Sequence, residues 1–261
     1  MPPADPQPRI AALLRTDPLR HVVTLKMRHL LGGAVESRLA EGPDGWALLS
    51  LLPADAFEYD RATYPGRQVA LVDGSSLASK CALLDALPRG PLVVKTSDAG
   101  VIAHLVATRS AKPVRSFLSY TAADPAPPPT PAGLREGTVP PPDVAGMFAA
   151  NGYEESELAR SFADGARWFG AERDGRIRAA GFVFRNFGTV WEIGGIHTDP
   201  DYRRQGLARE VVAGALRYLG GNGCIPRYQV RSDNAPSVAL AAACGLRPFL
   251  RLDHLLVGDE P

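Results

Sequence analysis

The sequence has few cysteines and no long apolar run. Its three cysteines, Cys81, Cys224 and Cys244, are odd in number and widely spaced along 261 residues. Such a set does not suit the disulfide framework of a secreted domain, so we expect a reduced, cytoplasmic protein. No apolar stretch reaches the ~18 residues that a membrane helix needs, and prolines and charges occupy the N-terminus where a signal peptide would be apolar. We therefore expect no membrane association.

An excess of charge of either sign is also missing. The chain carries 29 basic and 28 acidic residues, a formal net charge of +1. This balance argues against nucleic-acid binding through bulk charge, so any recognition of a polyanion must be local. Apolar residues make up 45% of the chain, which is enough for the core of one large domain or two ordinary ones.

Proline, in contrast, is concentrated in one segment. The stretch "DPAPPPTPAG" runs from Asp124 to Gly133, and its composition predicts an extended connector instead of a helix or a central strand. We therefore predict a first domain at 1–123, a linker at 124–131 and a second domain at 132–261.

The first half alternates short apolar runs with helical patterns. A helical pattern spans Arg9 to Leu31, with a break near Asp17-Pro18. Three strand-like runs follow, "GWALLSLL", "RQVALVDG" and "GPLVVKTS", together with the helical pattern "SSLASKCALLDALPRG". This alternation predicts an α/β or α+β unit, and no chemical motif stands out in it.

The second half predicts a meander of strands followed by a crossover helix. The expected elements begin with a strand within "GLREGT", a helix with Asp143 as its N-cap and a helix at about 154–166. Three strands follow, which are joined by turns at Asp174-Gly175 and at 186–188 and end at Asp199-Pro200. The last elements are a helix from Leu207 to Gly220-Gly221, a strand "RYQV", a helix at about 235–244 and a strand at about 249–257.

The start of the long helix carries the strongest chemical signal. In "DYRRQGLAREV", from Asp201 to Val211, two arginines and a glutamine precede a glycine and then a helix. A helix start presents backbone N–H groups without partners and the positive end of the helix dipole, so it favours an anion. Gly206 allows the backbone to approach that anion closely, and the small side chain of Ala208 keeps the next turn from crowding it. The pattern predicts a ligand with phosphate groups.

The run Arg203 to Ala208 also matches the Arg/Gln-x-x-Gly-x-Gly/Ala signature of the GNAT superfamily of acyl-CoA-dependent N-acyltransferases. The preceding "IHTDPDY" resembles the lead-in of that family, and "NAPSVALAAACGL" resembles its Asn-x-x-Ser/Ala helix. The resemblance covers about 132–257. The first half resembles, more faintly, the degenerate N-terminal lobe of two-lobed members such as the glycine N-acyltransferase-like proteins.

The resemblance implies an α/β (α+β) fold of two tandem GNAT-like lobes. Each lobe would have a mixed, mostly antiparallel sheet flanked by helices, and the C-terminal lobe would carry the acyl-CoA site. The implied cofactor is acetyl-CoA, with its pyrophosphate on the backbone amides of the signature turn and its pantetheine arm paired like an added strand with the preceding strand. The implied cofactor-binding residues are Ile196, His197, Thr198, Arg203, Arg204, Gln205, Gly206, Leu207, Ala208, Arg209, Asn234 and Ser237.

Two features of this implied site also have explanations that need no ligand. Asn234 is a plausible N-cap of its helix, and both roles are compatible. Gly194-Gly195 within the preceding strand predicts a bulge or a close backbone approach, which a plain hairpin kink would equally explain. No metal site is expected.

Transfer of an acyl group to an amine calls for a base. A lysine-like amine with a pKa near ~10.4 is mostly protonated at neutral pH, and exposing its lone pair costs ~4–5 kcal/mol. Glu192 lies between the apolar Trp191 and Ile193, and its distance from the signature resembles that of the catalytic glutamate in protein-lysine acetyltransferases of the superfamily. The alternative is an ordinary salt-bridged residue. His197 is a second candidate, which would share a face with Glu192 only if a bulge interrupts the strand.

The sequence departs from the family where a tyrosine commonly protonates the departing thiolate. Seven residues after Asn234 this chain has Ala241. A thiol with a pKa of ~8.5 leaves without much help, so transfer need not be abolished. An acid from elsewhere, such as Tyr228, is one alternative and a protein that binds without catalysing is another. Cys244, with no His–acid partner pattern, is expected to be a core residue.

These observations predict an acetyl-CoA-dependent N-acetyltransferase that acts on a primary amine of a small molecule or an amino-acid-like acceptor. The alternative is a catalytically weak acyl-CoA-binding sensor or regulatory module. Residues proposed to face the acceptor are Phe148, Tyr153, Glu154 and Glu155, and the first lobe is expected to close one side of that site. The partner is thus a small-molecule amine, without nucleic acid or membrane, and the protein is expected to be a monomer or a homodimer.

Overall fold

The structure of the protein, a computed structural model, describes residues 6–122 and 133–258. Two compact units are present. The first contains the chain up to Phe117 and the segment from Leu250 onward, and the second contains Leu118–Phe249. The predicted linker at 124–131 lies outside the described residues, and its role as a domain boundary stays a prediction. The last strand was expected in the second domain, but most of it groups with the first unit.

The first unit alternates helices and strands. Its helices are α1 Gln7–Leu14, α2 Val22–Leu31, α3 Glu58–Thr63, α4 Leu77–Asp85 and α5 Ala99–Arg109, and its strands are β1 Glu36–Gly42, β2 Gly45–Pro53, β3 Gln68–Gly74, β4 Leu92–Thr96 and the first part of β5 Lys112–Ala122. The break predicted near Asp17-Pro18 is confirmed, since it separates α1 from α2. The strands predicted from the three apolar runs are β2, β3 and β4.

The second unit follows the predicted order of a meander and a crossover helix. Its strands are β6 Leu134–Gly137, β7 Arg167–Arg173, β8 Arg176–Phe187, β9 Val190–Thr198, β10 Ile225–Arg231 and the first residues of β11 Leu246–Val257, and its helices are α6 Pro142–Ala150, α7 Glu155–Ala163, α8 Leu207–Gly221 and α9 Ala235–Ala243. The division between the two units falls inside β5 and inside β11.

In the first unit, β1, β2 and β3 pair antiparallel, and α4 connects β3 to the parallel strand β4. Residues 253–257 of β11 then pair antiparallel with β4. Leu84 of α4 and Leu105 of α5 pack on one face of this sheet. Met27 of α2 and Tyr64 pack on the other face. Both faces are therefore covered, as expected for an α+β unit.

The second unit repeats this plan. Strands β6 to β9 pair antiparallel, and α8 connects β9 to the parallel strand β10. Alternate residues of the strands point to opposite faces. One face packs against α8 and α9, where Val211 and Ala241 are fully buried. The other packs against α6 and α7, where Phe148 and Phe182 are buried. The predicted mixed, mostly antiparallel sheet flanked by helices is confirmed.

Two local predictions are wrong. Asp143 is not an N-cap, because Pro141 holds that position and Pro142 begins α6, where the missing proline N–H costs nothing. Asn186 was expected in a turn but lies within β8, where its buried amide bonds to Glu192. In the part of the chain that the structure describes, no helix is long and apolar enough to cross a membrane.

Candidate functional site

The turn before α8 leaves a row of backbone amides open. Gly206 is the N-cap with φ +85° and no side chain caps the helix, while Arg204 is also left-handed at φ +63°. Among the described residues, the N–H groups of residues 204–208 donate no hydrogen bond, and the first amide with a partner is that of Arg209. A Cβ at Gly206 would meet open space. Several free donors therefore converge at the positive end of α8, where an anion is stabilised.

Side chains brace this turn from the strand side. The Arg178 guanidinium donates to Asp199 at 3.0 Å and stacks 4.3 Å from the ring centroid of Tyr202. The hydroxyl of Tyr202 in turn donates to Asp174 at 2.8 Å. Arg203 donates through Nε to the Thr198 carbonyl at 3.3 Å. These contacts fix the path of the chain into the turn, so the free amides are held in place before any ligand arrives.

The predicted bulge is present at the glycine pair of β9. Ala180 pairs with His197 and Phe182 pairs with Gly194, so β9 has one residue more than β8 across this interval. Gly195 has φ +64°, and a Cβ there would lie 2.5 Å from the Phe182 ring. Both the left-handed conformation and the close ring require glycine at this position.

The bulge changes which side chains share a face. Directly opposed residues on antiparallel strands point to the same side, and Glu192 pairs with Phe184 while His197 pairs with Ala180. Because Phe184 and Ala180 both pack in the core under α6 and α7, Glu192 and His197 lie on that face together. This is the arrangement that sequence alternation alone forbids.

Strands β9 and β10 part beside the bulge. Their parallel pairing covers three positions and ends at Glu192 and Arg227. Beyond it, the amide of Asp199 donates to Arg178 on β8, so by alternation the N–H and C=O of the preceding Thr198 point away from β8. Among the described residues, that carbonyl receives only the Arg203 side chain, and the carbonyl of Ile196 receives the Asn151 side-chain amide at 3.1 Å. An edge of β9 thus lies open between the bulge and the turn before α8.

Glu192 lies at the point where the two strands separate, and its side chain is 9% exposed. Its Oε2 accepts hydrogen bonds from Arg227 at 2.7 Å and from Asn186 at 2.6 Å, and its Oε1 accepts the backbone amide of Gln229 at 2.8 Å. Both oxygens are therefore engaged. Its role as a base stays a prediction.

Tyr153 lies over the bulge on the same face. Its hydroxyl accepts a hydrogen bond from the backbone of Gly195 and lies 3.0 Å from where a Cβ of Gly194 would be. Burial, then the carboxylates of Glu192 and Glu157, raises the pKa of this phenol well above its ordinary value. Tyr153 therefore remains protonated and can still donate one hydrogen bond.

The remaining acceptor-facing candidates differ in exposure. Glu154 is the N-cap residue of α7 and Glu155 is its first residue, and both are exposed. Phe148 is completely buried under the sheet. Of the four expected acceptor residues, Tyr153 brings its hydroxyl to the bulge, and the buried Phe148 packs against it, 3.4 Å from where a Cβ of Gly195 would be.

On the opposite face, α9 begins as predicted. The side chain of Asn234 accepts the amide of Ser237 at 3.2 Å and caps the helix. Ala241 is fully buried. The hydroxyl of Tyr228 approaches the Ser237 carbonyl at 3.5 Å, a long contact, and burial raises its pKa to about 12. Ser237 and Ala241 are one helical turn apart, and a helical side chain points towards the N-terminus of its helix. The Tyr228 hydroxyl therefore lies near the place that the hydroxyl of a tyrosine at position 241 would occupy.

The thiols and possible metal ligands show no additional site. Burial raises the pKa of Cys244 to about 11, which keeps it a thiol instead of a nucleophilic thiolate. Cys81 and Cys224 are free as well, and burial raises the pKa of both. Across residues 6–122 and 133–258, no group of His, Cys, Asp and Glu side chains could hold a metal ion.

The crossover helix of the first unit begins differently. Ser76 caps α4 by accepting the amide of Ser79 at 3.3 Å. Lys80 is buried, forms an ion pair with Asp98 and donates to the carbonyl of Gly74 at 3.1 Å. In addition, β3 and β4 pair over five positions, compared with three between β9 and β10. The turn before α4 therefore has neither the uncapped amides nor the parted strands of the second unit.

Comparisons with known proteins agree with this geometry. Residues 140–246 match the family described as Acetyltransferase (GNAT) family. No curated protein sequence matches the chain. Among solved structures, the fold is similar to a GCN5-related N-acetyltransferase from Kribbella flavida, with a TM-score of 0.54 and 19% identity, covering 93% of this chain and 97% of that one.

Two further structures are similar. A tandem GNAT protein from the clavulanic acid biosynthesis pathway has a TM-score of 0.53 and 18% identity, covering 94% of this chain and 89% of that one. A GCN5-related N-acetyltransferase from Sphaerobacter thermophilus has a TM-score of 0.55 and 13% identity, covering 82% and 80%. At these identities the likeness concerns the fold, which here is that of two tandem GNAT-like lobes. The chain therefore contains an acetyltransferase domain of the GNAT family at residues 140–246.

Proposed function

We propose that the protein is an acetyl-CoA-dependent N-acetyltransferase that acts on a primary amine of a small molecule or an amino-acid-like acceptor. The amine nitrogen attacks the thioester carbonyl, so a C–N bond forms, the C–S bond breaks and the electron pair leaves with sulfur. The acceptor nitrogen loses one proton, and the leaving thiolate can accept one. Acetyl-CoA supplies the activated acyl group, and the chain supplies its binding and orientation.

The observation that carries the proposal is the uncapped turn before α8. Five consecutive amides at residues 204–208 are without partners in the described structure, and Arg203, Arg204 and Arg209 are exposed around them. A diphosphate matches such a row, because its oxygens accept the free N–H groups and its charge lies at the positive end of the helix dipole. The open space at Gly206 fits a close approach of that group. The residues present therefore fit the coenzyme A pyrophosphate.

The open edge of β9 supports the rest of the cofactor site. The N–H and C=O groups of Thr198 point away from β8, and Ile196 lies beside the bulge, as deduced above. An extended arm with amide groups can add to such an edge like a further strand. Asn234 and Ser237 at the start of α9 complete the proposed cofactor residues. The side chain of His197 points to the face of the sheet under α6 and α7. Its proposed contribution to cofactor binding is therefore through its backbone.

Proton transfer from the amine is assigned to the face that carries Glu192, His197 and Tyr153. Glu192 was expected to be the base, but its carboxylate is already bonded to Arg227, Asn186 and Gln229. No hydrogen bond of the His197 ring is present among the described residues, and the ring is half-buried. We therefore propose that His197, the second candidate from the sequence, accepts the proton in place of Glu192.

Ligand binding tests the proposal at the turn. Coenzyme A should raise the melting temperature through its affinity for the folded state, and calorimetry should show one site per chain, since the described part of the first unit has no equivalent turn. Gly206→Glu should abolish both effects by placing a side chain and a negative charge against the pyrophosphate. Because Gly206 has a positive φ, Gln205→Glu serves as a second variant that adds charge without backbone strain.

A matched control is available in the same helix. Gly221→Glu introduces the same side chain at the other end of α8, where a Cβ meets nothing within 4 Å, and it should leave binding unchanged. If Gly206→Glu and Gln205→Glu both fold and bind coenzyme A as tightly as the wild type, the assignment of the turn is wrong.

The alternative function is a catalytically weak acyl-CoA-binding module. Two observations favour it: Ala241 is buried where a tyrosine could serve, and Glu192 is held in a buried ion pair. Such a module would bind coenzyme A at the same turn but release no thiol in the presence of amines. Binding alone does not separate the two functions, whereas turnover does.

A further inference from the structure

Where β9 and β10 separate, the side chain of Glu192 takes the place of a backbone carbonyl as the acceptor of a hydrogen bond. On β10, the amide of Ile225 donates to the Thr189 carbonyl at 2.8 Å, so residues 225, 227 and 229 point their amides towards β9 by alternation. Pairing ends at Arg227. The next amide of this series, that of Gln229, donates instead to Oε1 of Glu192.

This substitution follows from the geometry of a ladder that opens. When two strands separate, a backbone amide that faces the gap loses its carbonyl partner, and a buried donor without a partner costs ~1–3 kcal/mol. A glutamate side chain extends across part of the gap and brings an acceptor to the amide. Glu192 is the last β9 residue of the pairing, so its carboxylate reaches Gln229 from the nearest point before the strands part.

The charge of the carboxylate is balanced within the same group. Arg227, whose side chain is 4% exposed, donates to Oε2 of Glu192 at 2.7 Å and to the hydroxyl of Ser119 at 3.3 Å. Asn186 donates to Oε2 as well. Removal of either member of this buried pair would leave the other charge without its counter-ion, which is strongly unfavourable. The network therefore holds the Glu192 side chain in place.

We infer that Glu192 is a positioning residue that keeps β10 away from β9, so that the edge of β9 stays free for the pantetheine arm, and that it does not accept the proton of the amine. This inference rests on the proposed function. Arg227 neutralises the carboxylate, and Gln229 is the group on β10 that it holds. Both oxygens of Glu192 thus have a partner within the protein.

A neutral pair of similar shape gives the sharpest test. In Glu192→Gln combined with Arg227→Met, the glutamine oxygen can still accept the Gln229 amide, and no buried charge lacks a partner. This double variant should keep affinity for coenzyme A within about threefold and kcat within about tenfold of the wild type. A general base, in contrast, would lose about 10²–10⁴-fold in kcat on becoming an amide. Glu172→Gln, which alters the exposed ion pair with Arg135, is the control and should change neither value.

Removal of the acceptor is the complementary test. In Glu192→Ala, affinity for coenzyme A should fall at least about tenfold. KM for acetyl-CoA should rise by a larger factor than that by which kcat falls. Hydrogen exchange at the Gln229 amide should be slow in the wild type and in the double variant and fast in Glu192→Ala. This readout needs no turnover, so it remains informative even if the protein proves not to be an acyltransferase.

Two results would overturn the inference. One is a double variant that binds coenzyme A normally but loses kcat by 10²-fold or more, which would make Glu192 the base. The other is slow exchange at Gln229 with undiminished affinity in Glu192→Ala, which would show that the carboxylate does not hold β10. Failure of the wild type to bind coenzyme A would contradict the proposed function, and the exchange measurement alone would then decide the role of Glu192.

Discussion

The guanidinium of Arg227 lies 2.7 Å from the carboxylate of Glu192 at the last position where β9 and β10 pair. The two residues are 35 positions apart in the sequence, and the parallel crossover through α8 makes them register partners. The same crossover places the uncapped turn of α8 beside the opened edge of β9. The row of free amides and the open strand edge thus have a common origin in one β-α-β connection.

Arg227→Met should destabilise the protein substantially. It leaves the Glu192 carboxylate buried without its counter-ion, and breaking a buried pair in this way typically costs ~3–5 kcal/mol. The free energy of unfolding from urea titration is the measurement. Arg135→Met is the control, because Arg135 forms an exposed pair with Glu172 and should cost less than ~1 kcal/mol. Equal costs for the two variants would contradict the burial assigned to this pair.

Gly195→Ala should also be destabilising, by at least ~1–3 kcal/mol, because φ is +64° and the new methyl group would meet the Phe182 ring. Thermal or urea unfolding measures this cost. Gly146→Ala is the matched control within α6, where a Cβ meets nothing within 4 Å, and it should stabilise by ~0.5–1 kcal/mol. A neutral Gly195→Ala would show that the bulge does not require glycine.

Features that depend on a few neighbouring residues could be predicted from the sequence. The left-handed turn at Asp174-Gly175, the glycine bulge at Gly194-Gly195 and the helix start at Gly206 all follow from local backbone chemistry. Features that depend on distant partners could not. The Glu192–Arg227 pair requires the register of a parallel crossover, and Asn186 was assigned to a turn because its buried partner lies on another strand.

The last strand shows the same limit. Its apolar pattern predicted a strand to Val257, as observed, but the pattern does not say which neighbour it joins. Residues 253–257 pair with β4 of the first unit, so most of the strand does not belong with the second domain as expected. The sequence suggested Tyr228 as an alternative acid for the departing thiolate but could not place it near α9. Its approach to α9 depends on the register of β10.

Tyr228→Phe should lower kcat by about 10–100-fold with little change in affinity for coenzyme A. Burial raises the pKa of this phenol to about 12, above the ~8.5 of a free thiol, so we expect it to donate a hydrogen bond to the developing thiolate without full proton transfer. Steady-state kinetics with acetyl-CoA measures the effect. Tyr218→Phe in α8 is the control, and a loss below about threefold in Tyr228→Phe would assign the donor elsewhere, with Tyr153 the next residue to test.

Acid should destabilise the first unit through His254. Burial, then Lys95 and Arg115, lowers the pKa of this histidine to about 3, and its Nδ1 is 2.8 Å from the Tyr64 hydroxyl. The neutral ring is favoured in the folded state, whereas in the unfolded chain the pKa is ~6.5. As pH falls from about 6.5 towards 3, only the unfolded state takes up this proton, so stability is full above that range and is lost within it.

The comparison with His254→Gln isolates this contribution. Glutamine can still bond to the Tyr64 hydroxyl but does not titrate, so the wild type should lose its advantage over the variant as pH falls. The measurement is the free energy of unfolding of both proteins between pH 7 and about 4. A constant difference across this range would mean that His254 titrates alike in the folded and unfolded states.

The release of free thiol from acetyl-CoA across a panel of primary amines, with the acetylated product identified by mass, decides whether the protein transfers the acetyl group. We predict thiol release that depends on the amine, is saturable in acetyl-CoA and disappears in Gly206→Glu and Gln205→Glu but not in Gly221→Glu. Coenzyme A binding at the α8 turn without amine-dependent thiol release for any acceptor would contradict catalysis and support the acyl-CoA-binding module instead.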